Sequence, residues 1–234
     1  MKAMGEGPII ERFAVGALAA NCYLIVCPET SVALVVDPGD EAGRILARIR
    51  ERAVTVAGIL HTHGHFDHIS ATEALLAGLA GLAGRDALVP VLAHPADAYL
   101  YTREARGWGE QFGYPLPERL VAPDSTITDG SSVEVGTLQL RVIATPGHTP
   151  GSVSLLYEPK DAADAEGAWL LSGDTLFRRG IGRTDLPGGY EDAIYESILT
   201  RLYPLPDGTL VYPGHGDATT IGEERRANPF VRGG

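Results

Sequence analysis

Four apolar, strand-like runs of this chain are each followed, at or just beyond their C-terminal ends, by histidine or aspartate. The run "VAGIL" leads into "HTHGHFDH", which packs His61, His63, His65, Asp67 and His68 into eight consecutive residues. "LRVIATPGH" reaches His148, "AWLLSGD" reaches Asp174 and "GTLVYPGH" reaches His215. Gly147, Gly173 and Gly214 directly precede the last three, and glycine permits tight turns and close backbone approach. Burying an imidazole costs desolvation and demands a partner, so four such endings are seldom accidental packing. If these ends converge on one rim, the chain must bring strands from both its halves to a common edge.

The rest of the chain is compatible with that demand. "IIERFAVG", "ANCYLIVCP" and "SVALVVDPGD" read as strands, with Val, Ile and Tyr bounded by Gly, Pro and Asp. "DEAGRILARIRERA" places Ile45, Leu46 and Ile49 at helical spacing. A helix is expected from about Ser70 to Leu79, a short strand at "VPVLAH" and a helix opened by Pro95. "GWGEQFGYPLPERLVAP" carries too many glycines and prolines for regular structure. The second half repeats the theme, with strands "SSVEVG", "LQLRVIAT", "SVSLLYEP" and "AWLLSGD", helix "YEDAIYESILTRL" and strand "GTLVYPG". Two β-rich halves packed together with helices outside are therefore expected. No linker parts them, which implies one domain over residues 1–234.

Composition narrows the function classes. A formal charge of −11 argues against a nucleic-acid binder, which would show a basic face. The longest apolar run, "ALLAGLAGLAG", is short of the roughly 20 residues a bilayer span needs. The first ten residues show no signal-peptide core, so a cytoplasmic protein without membrane contact is expected. Cys22 and Cys27 lie an odd offset apart on one strand. Their side chains should face opposite sides and stay unbridged.

The candidate ligands are His63, His65, Asp67, His68, His148, Asp174 and His215. Seven nitrogen and oxygen donors without thiolate are too many for one tetrahedral zinc and suit two divalent ions with open or shared positions. Such paired ions sit roughly 3.5–4 Å apart and activate a shared water. The alternative local motif, His-Glu-x-x-His on a helix, fails because Thr62 stands where Glu is needed and Gly64 interrupts the helix. A loop is expected through the cluster.

"HTHGHFDH" matches the His-x-His-x-Asp-His signature of the metallo-β-lactamase superfamily, with His148, Asp174 and His215 following in the superfamily's order. "TPGHTPGS" and "SGDTLFRRGIGRTDLPGG" resemble its glyoxalase II (hydroxyacylglutathione hydrolase-like) branch. The resemblance spans nearly the whole chain and implies an α+β fold, a four-layer αββα sandwich. It further implies that His63, His65 and His148 hold one ion, that Asp67, His68 and His215 hold a second, and that Asp174 bridges them. Zinc is the first choice of metal, with iron or manganese compatible with the same donors. A bridging hydroxide would attack the substrate carbonyl, with Asp67 and Asp174 as the catalytic carboxylates, and Asp67 orienting the nucleophile or accepting its proton. Two divalent ions, two ligating aspartates and one hydroxide leave about one net positive charge. A small anionic thioester or ester, such as S-lactoylglutathione, is the implied substrate.

Glutathione-specific members carry a further helical domain after the last ligand histidine. Nineteen residues follow His215 here, so glutathione specificity is not expected to carry over. Three rival activities share parts of the pattern. Persulfide dioxygenases share "GRTD" but use a single iron and have Cys where this chain has Ile181; flavodiiron oxidoreductases place Glu where it has His65; a superfamily nuclease would need a basic surface. A lactone or other ester hydrolase is a further alternative, and a non-catalytic metal-binding protein is the non-enzyme one. Arg178 and Arg179 are the candidates to contact an anionic substrate, whereas Arg183 and Asp185 are expected to pin their own glycine-rich loop. His61 is expected to pack or hydrogen-bond beneath the metal-binding loop, His94 to be a structural or pocket-rim residue, and Trp108, Phe112 and Tyr114 to line a pocket or cover the core.

Overall fold

The computed structural model describes residues 7–83, 88–102, 107, 109–110, 113–114, 116–159 and 167–232. The first sheet takes its strands in chain order: β1 (Ile9–Val15), β2 (Ala20–Cys27), β3 (Val32–Val36), β4 (Thr55–Leu60), β5 (Val91–Ala93) and β6 (Ser125–Thr126). Pairing is antiparallel from β1 to β3 and parallel from β3 to β6. The second sheet uses β7 (Ser132–Val135), β8 (Leu138–Ala144), β9 (Val153–Tyr157) and β10 (Trp169–Gly173). A two-stranded ribbon follows, β11 (Leu176–Phe177) with β12 (Gly180–Ile181). Then β13 (Leu210–Pro213) pairs parallel to β10 and antiparallel to the short β14 (Thr219–Thr220).

Side-chain alternation explains why the sheets stack. On β8, Leu138, Leu140 and Val142 are buried while Gln139 and Arg141 are exposed, the pattern of a strand with one wet face. Strand β2 is buried at every position and serves two cores at once. Its Tyr23, Ile25 and Cys27 meet Leu140, Val142, Leu155 and Leu171 between the sheets. Its Cys22, Leu24 and Val26 join Ile45, Leu46 and Ile49 of helix α1 (Ala42–Arg52) on the outer side. The two cysteines therefore point to opposite faces and are free. A third core packs β8, β9 and β10 against Ile194, Ile198 and Ile221 from the helices near the C-terminus. Helix, sheet, sheet, helix is the expected four-layer sandwich.

Local differences from the sequence reading have local causes. The expected helix from Ser70 spans Thr72–Ala83 (α3), and one turn of helix, Phe66–Ile69 (α2), precedes it. Pro95 opens a 3-10 helix, Pro95–Tyr101, where His94 caps the first turn by accepting from Ala96 N. The segment "YEDAIYESILTRL" is helical over Glu191–Ser197 (α4) and then widens to a π-helix over Ile198–Leu202. A last helix, α5 (Ile221–Ala227), is capped by Thr220 accepting from Glu223 N.

Parallel pairing sets the functional edge. Because β10 and β13 run together, their ends lie side by side, and Gly214 N donates to Gly173 O (2.8 Å). Likewise β3 and β4 end together, with Asp37 N donating to Leu60 O (2.9 Å). The sheets are stitched at the same rim by Asn21 N donating to Gly214 O (2.6 Å) and Val153 N to Thr62 O (2.9 Å).

Leu140 is fully buried between the sheets, so Leu140→Ala should cost about 2–5 kcal/mol, transfer plus cavity. The exposed Leu199→Ala should stay within about 0.5 kcal/mol of wild type. Urea unfolding of both variants measures the difference, and equal midpoints would contradict the three-core description.

Candidate metal centre

The rim assembles the donors from four segments. His61 to His65 leave β4 as irregular chain, as expected. At His65 the backbone is extended, and it caps the one-turn helix that carries Asp67 and His68. The cluster is thus part loop, part helix, a correction to the all-loop expectation. Gly64 lies in the loop half, where a β-carbon would press to 2.7 Å from Leu100. The closing bond from Ser70 Oγ to Phe66 O (2.6 Å) holds the helical half.

His63, His65 and His148 form one buried group whose ligand atoms lie within 4.8 Å of one another, and Asp67, His68 and His215 form a second. Asp174 stands between them. Its Oδ1 is 3.5 Å from His68 Nε2, and its Oδ2 is 3.6 Å from both His148 Nε2 and His215 Nε2. Asp67 Oδ2 lies 3.3 Å from His215 Nε2. The glycine before each late ligand has a steric reason. A β-carbon on Gly214 would overlap the Asp174 carboxylate, and one on Gly147, whose φ is +139°, would overlap the backbone of Ile194.

Four of the five imidazoles are held by Nδ1, leaving Nε2 to face the centre. His148 donates from Nδ1 to Arg183 O (2.7 Å) and His215 to Leu18 O (3.1 Å). His68 donates to Asp37 Oδ2 (3.2 Å). Thr62 donates through N and Oγ1 to Asp37 (2.7 Å each), so its oxygen is left to accept from His63 Nδ1 (3.1 Å). The carboxylate of Asp37 therefore orients one histidine in each group, the outer support that metal-binding imidazoles require.

These residues fit divalent cations. His63 Nε2 and Asp174 Oδ1 are buried without a protein hydrogen-bond partner, an arrangement costly for groups meant only for packing. His65 Nδ1 faces His148 Nε2 at 2.8 Å, and His68 Nε2 faces His215 Nε2 at 3.2 Å. The groups differ electrically. Burial pushes His63 far down and His65 to about 3, and the first group has no carboxylate among its three donors. In the second, burial is outweighed by neighbouring charge. Asp174, Asp67 and Asp37 raise His68 to about 10, and His68 with His215 hold the Asp67 carboxyl below its ordinary range.

Above this floor lies a cavity of about 450 Å³, walled by Leu18, Phe66, Phe177, Ile181 and Leu186. Arg183 is the cation on its lining, paired to Asp185 through two bonds of 2.7 and 2.8 Å. Arg178 and Arg179, the expected substrate contacts, lie elsewhere. Arg178 reaches toward Asp217 (3.9 Å), and the Arg179 guanidinium donates to Ala227 O (2.8 Å), which turns it to the C-terminal helix. His61 is buried between Tyr101 OH and Thr72 Oγ1 (2.9 Å each), and burial lowers it to about 4. Tyr114 backs Phe66, ring to ring at 4.9 Å, instead of lining the cavity; Trp108 and Phe112 lie outside the described residues. Asp37 was missed, although "SVALVVD" ends a strand in a carboxylate as the ligand strands do.

Comparison with known proteins agrees with this geometry. The sequence pattern of the Metallo-beta-lactamase superfamily matches residues 15–215. Hydroxyacylglutathione hydrolase GloC of Haemophilus influenzae is 33% identical, the alignment covering 95% of this chain and 97% of that one. The BLEG-1 B3 metallo-beta-lactamase superposes with TM-score 0.82 at 34% identity, over 96% of this chain and 100% of its own. TTHA1623, solved in a di-iron-bound form, gives 0.76 at 36% identity, over 94% and 100%.

Asp174 faces both donor groups and His61 neither. Asp174→Ala should therefore release metal from both and lower turnover by orders of magnitude, while His61→Ala should keep most of its metal. Elemental analysis of the two variants after gel filtration decides the matter. Equal losses would sink the distinction between ligand and support.

Proposed function

We propose that this chain, which belongs to the metallo-beta-lactamase superfamily and to its metal-dependent hydrolases, is a glyoxalase II-type thioesterase acting on small 2-hydroxyacyl thioesters. The observation that carries the proposal is the pairing of two His/Asp donor groups around Asp174 with a cavity wall that is apolar except for Arg183. The GloC relative, aligned over nearly its whole length, bears the name hydroxyacylglutathione hydrolase. His63, His65 and His148 would hold one ion, Asp67, His68 and His215 another, and Asp174 both. When bound, divalent ions there would supply Lewis acidity for a carbonyl oxygen and a water acidified toward neutral pH.

The chain's own groups do the rest. Asp67, whose Oδ2 lies 3.3 Å from His215 Nε2, is the carboxylate that would orient the attacking water. The aromatic and aliphatic wall excludes solvent from the acyl group. None of the six wall residues above the donors is an acid that could protonate a leaving group. A thiolate leaves without such help, whereas an alkoxide or amine does not, and the cavity thus favours thioesters over esters and amides. Arg183 supplies the positive charge for an anionic substrate. Because its carbonyl, not its side chain, holds His148, the guanidinium can be removed without freeing that ligand.

A substrate panel on metal-loaded protein tests the assignment. S-lactoylglutathione should be cleaved to acid and thiol faster than lactones or β-lactams. Arg183→Leu should raise KM for it about tenfold, the order expected for one partly exposed charged contact, with kcat changed less. Faster β-lactam cleavage would replace the thioesterase with a lactamase. Oxygen uptake on a persulfide with one iron per chain would replace it with the dioxygenase.

A further inference from the structure

The 3-10 helix Pro95–Tyr101 contributes no candidate ligand, yet three loops of the rim lean on it. Tyr101 bonds His61, and Tyr99 OH donates to Pro187 O (3.0 Å) in the loop whose Arg183 carbonyl holds His148. At its centre is Asp97, fully buried and used by no step proposed above. The Asp97 carboxylate accepts from Gly64 N (2.9 Å), Thr149 Oγ1 (2.8 Å) and Gly151 N (2.7 Å). Gly64 sits between His63 and His65, and Thr149 follows His148. Every one of these bonds serves the segments of the all-imidazole group, and none reaches Asp67, His68 or His215.

We infer that Asp97 is a positioning residue for the metal site of His63, His65 and His148 alone, which makes the two sites separately tunable in affinity. The inference rests on the two-ion reading. Its logic is electrostatic as well as geometric. The second group carries Asp67 among its own donors and has charge to attract a cation. The first has three imidazoles and no carboxylate of its own, so its affinity depends on how well they are pre-placed. A buried carboxylate surrounded by neutral donors is the strongest acceptor available for that task. Asparagine in its place would aim an amide N–H at one of the same donors.

The test uses metal-loaded protein and reads metal retention, not turnover. Asp97→Asn should hold one of its two ions about 10- to 100-fold more weakly under stepwise chelation, the loss typical of outer partners, and the other unchanged. Double variants locate the effect. With His215→Ala, where only the first group is intact, Asp97→Asn should shed the remaining ion; with His148→Ala it should alter nothing. Should Asp97→Asn fail to fold, Thr149→Val removes one donor at equal volume, and weaker retention of the same ion is expected. Equal weakening of both ions, or of neither, overturns the inference while leaving two-ion binding intact. Wild-type protein that takes up only one ion overturns the two-ion reading and the selectivity with it.

Discussion

The parallel pairing of β10 with β13, and of β3 with β4, is the constraint on which the rest of the molecule depends. A parallel pair ends both strands on the same edge, so whatever follows each strand is delivered to one place. Here Asp174 and His215 follow one pair, and Asp37 and the His61–His68 segment follow the other. Antiparallel pairing would have sent half of those side chains to the far end of the sandwich. The hydrogen bonds from Asn21 to Gly214 and from Val153 to Thr62 then lock the two edges together, and the donor groups form across the seam.

Four buried carboxylates at this rim share a chemistry and differ in use because of what surrounds them. Asp67 and Asp174 face imidazole nitrogens and are the two that would bind cations under the proposed function. Asp37 is saturated by Thr62 and His68 and acts outward, on ring orientation. Asp97 meets neutral donors only, and burial raises its carboxyl above the ordinary range despite those bonds. Surroundings, not residue type, assign the role.

Much of this was legible in the sequence, for identifiable reasons. Two β-rich halves with helices outside followed from the order of strands and helices, the four-layer sandwich from the family resemblance, and the opposite faces of Cys22 and Cys27 from a period of two. The seven donors stood out because four apolar runs each lead into one of them or into the cluster that holds the other four. The Arg183–Asp185 pair was legible from their proximity, but proximity says nothing about which face of the loop meets the cavity, where Arg183 also lies. What Arg178 and Arg179 reach was not legible, because their partners Asp217 and Ala227 lie 39 and 48 positions away. The turn of helix at Phe66 was hidden by Gly64, which breaks a helix two residues before this one begins.

An acidic chain can still present a cationic pocket, because the two properties live on different length scales. Most of the −11 formal charge is spread over an exposed surface, where salt screens it within about 8 Å. The pocket sees what lines it: imidazoles, two carboxylates, Arg183 and an apolar wall that contributes no charge. Asp185 offsets part of Arg183 but lies on the exposed side of the pair, where water weakens its field. The local sign at the cavity therefore depends on the cations its donors would hold, and under the proposed function a small anion would meet that local charge and not the −11 of the whole chain.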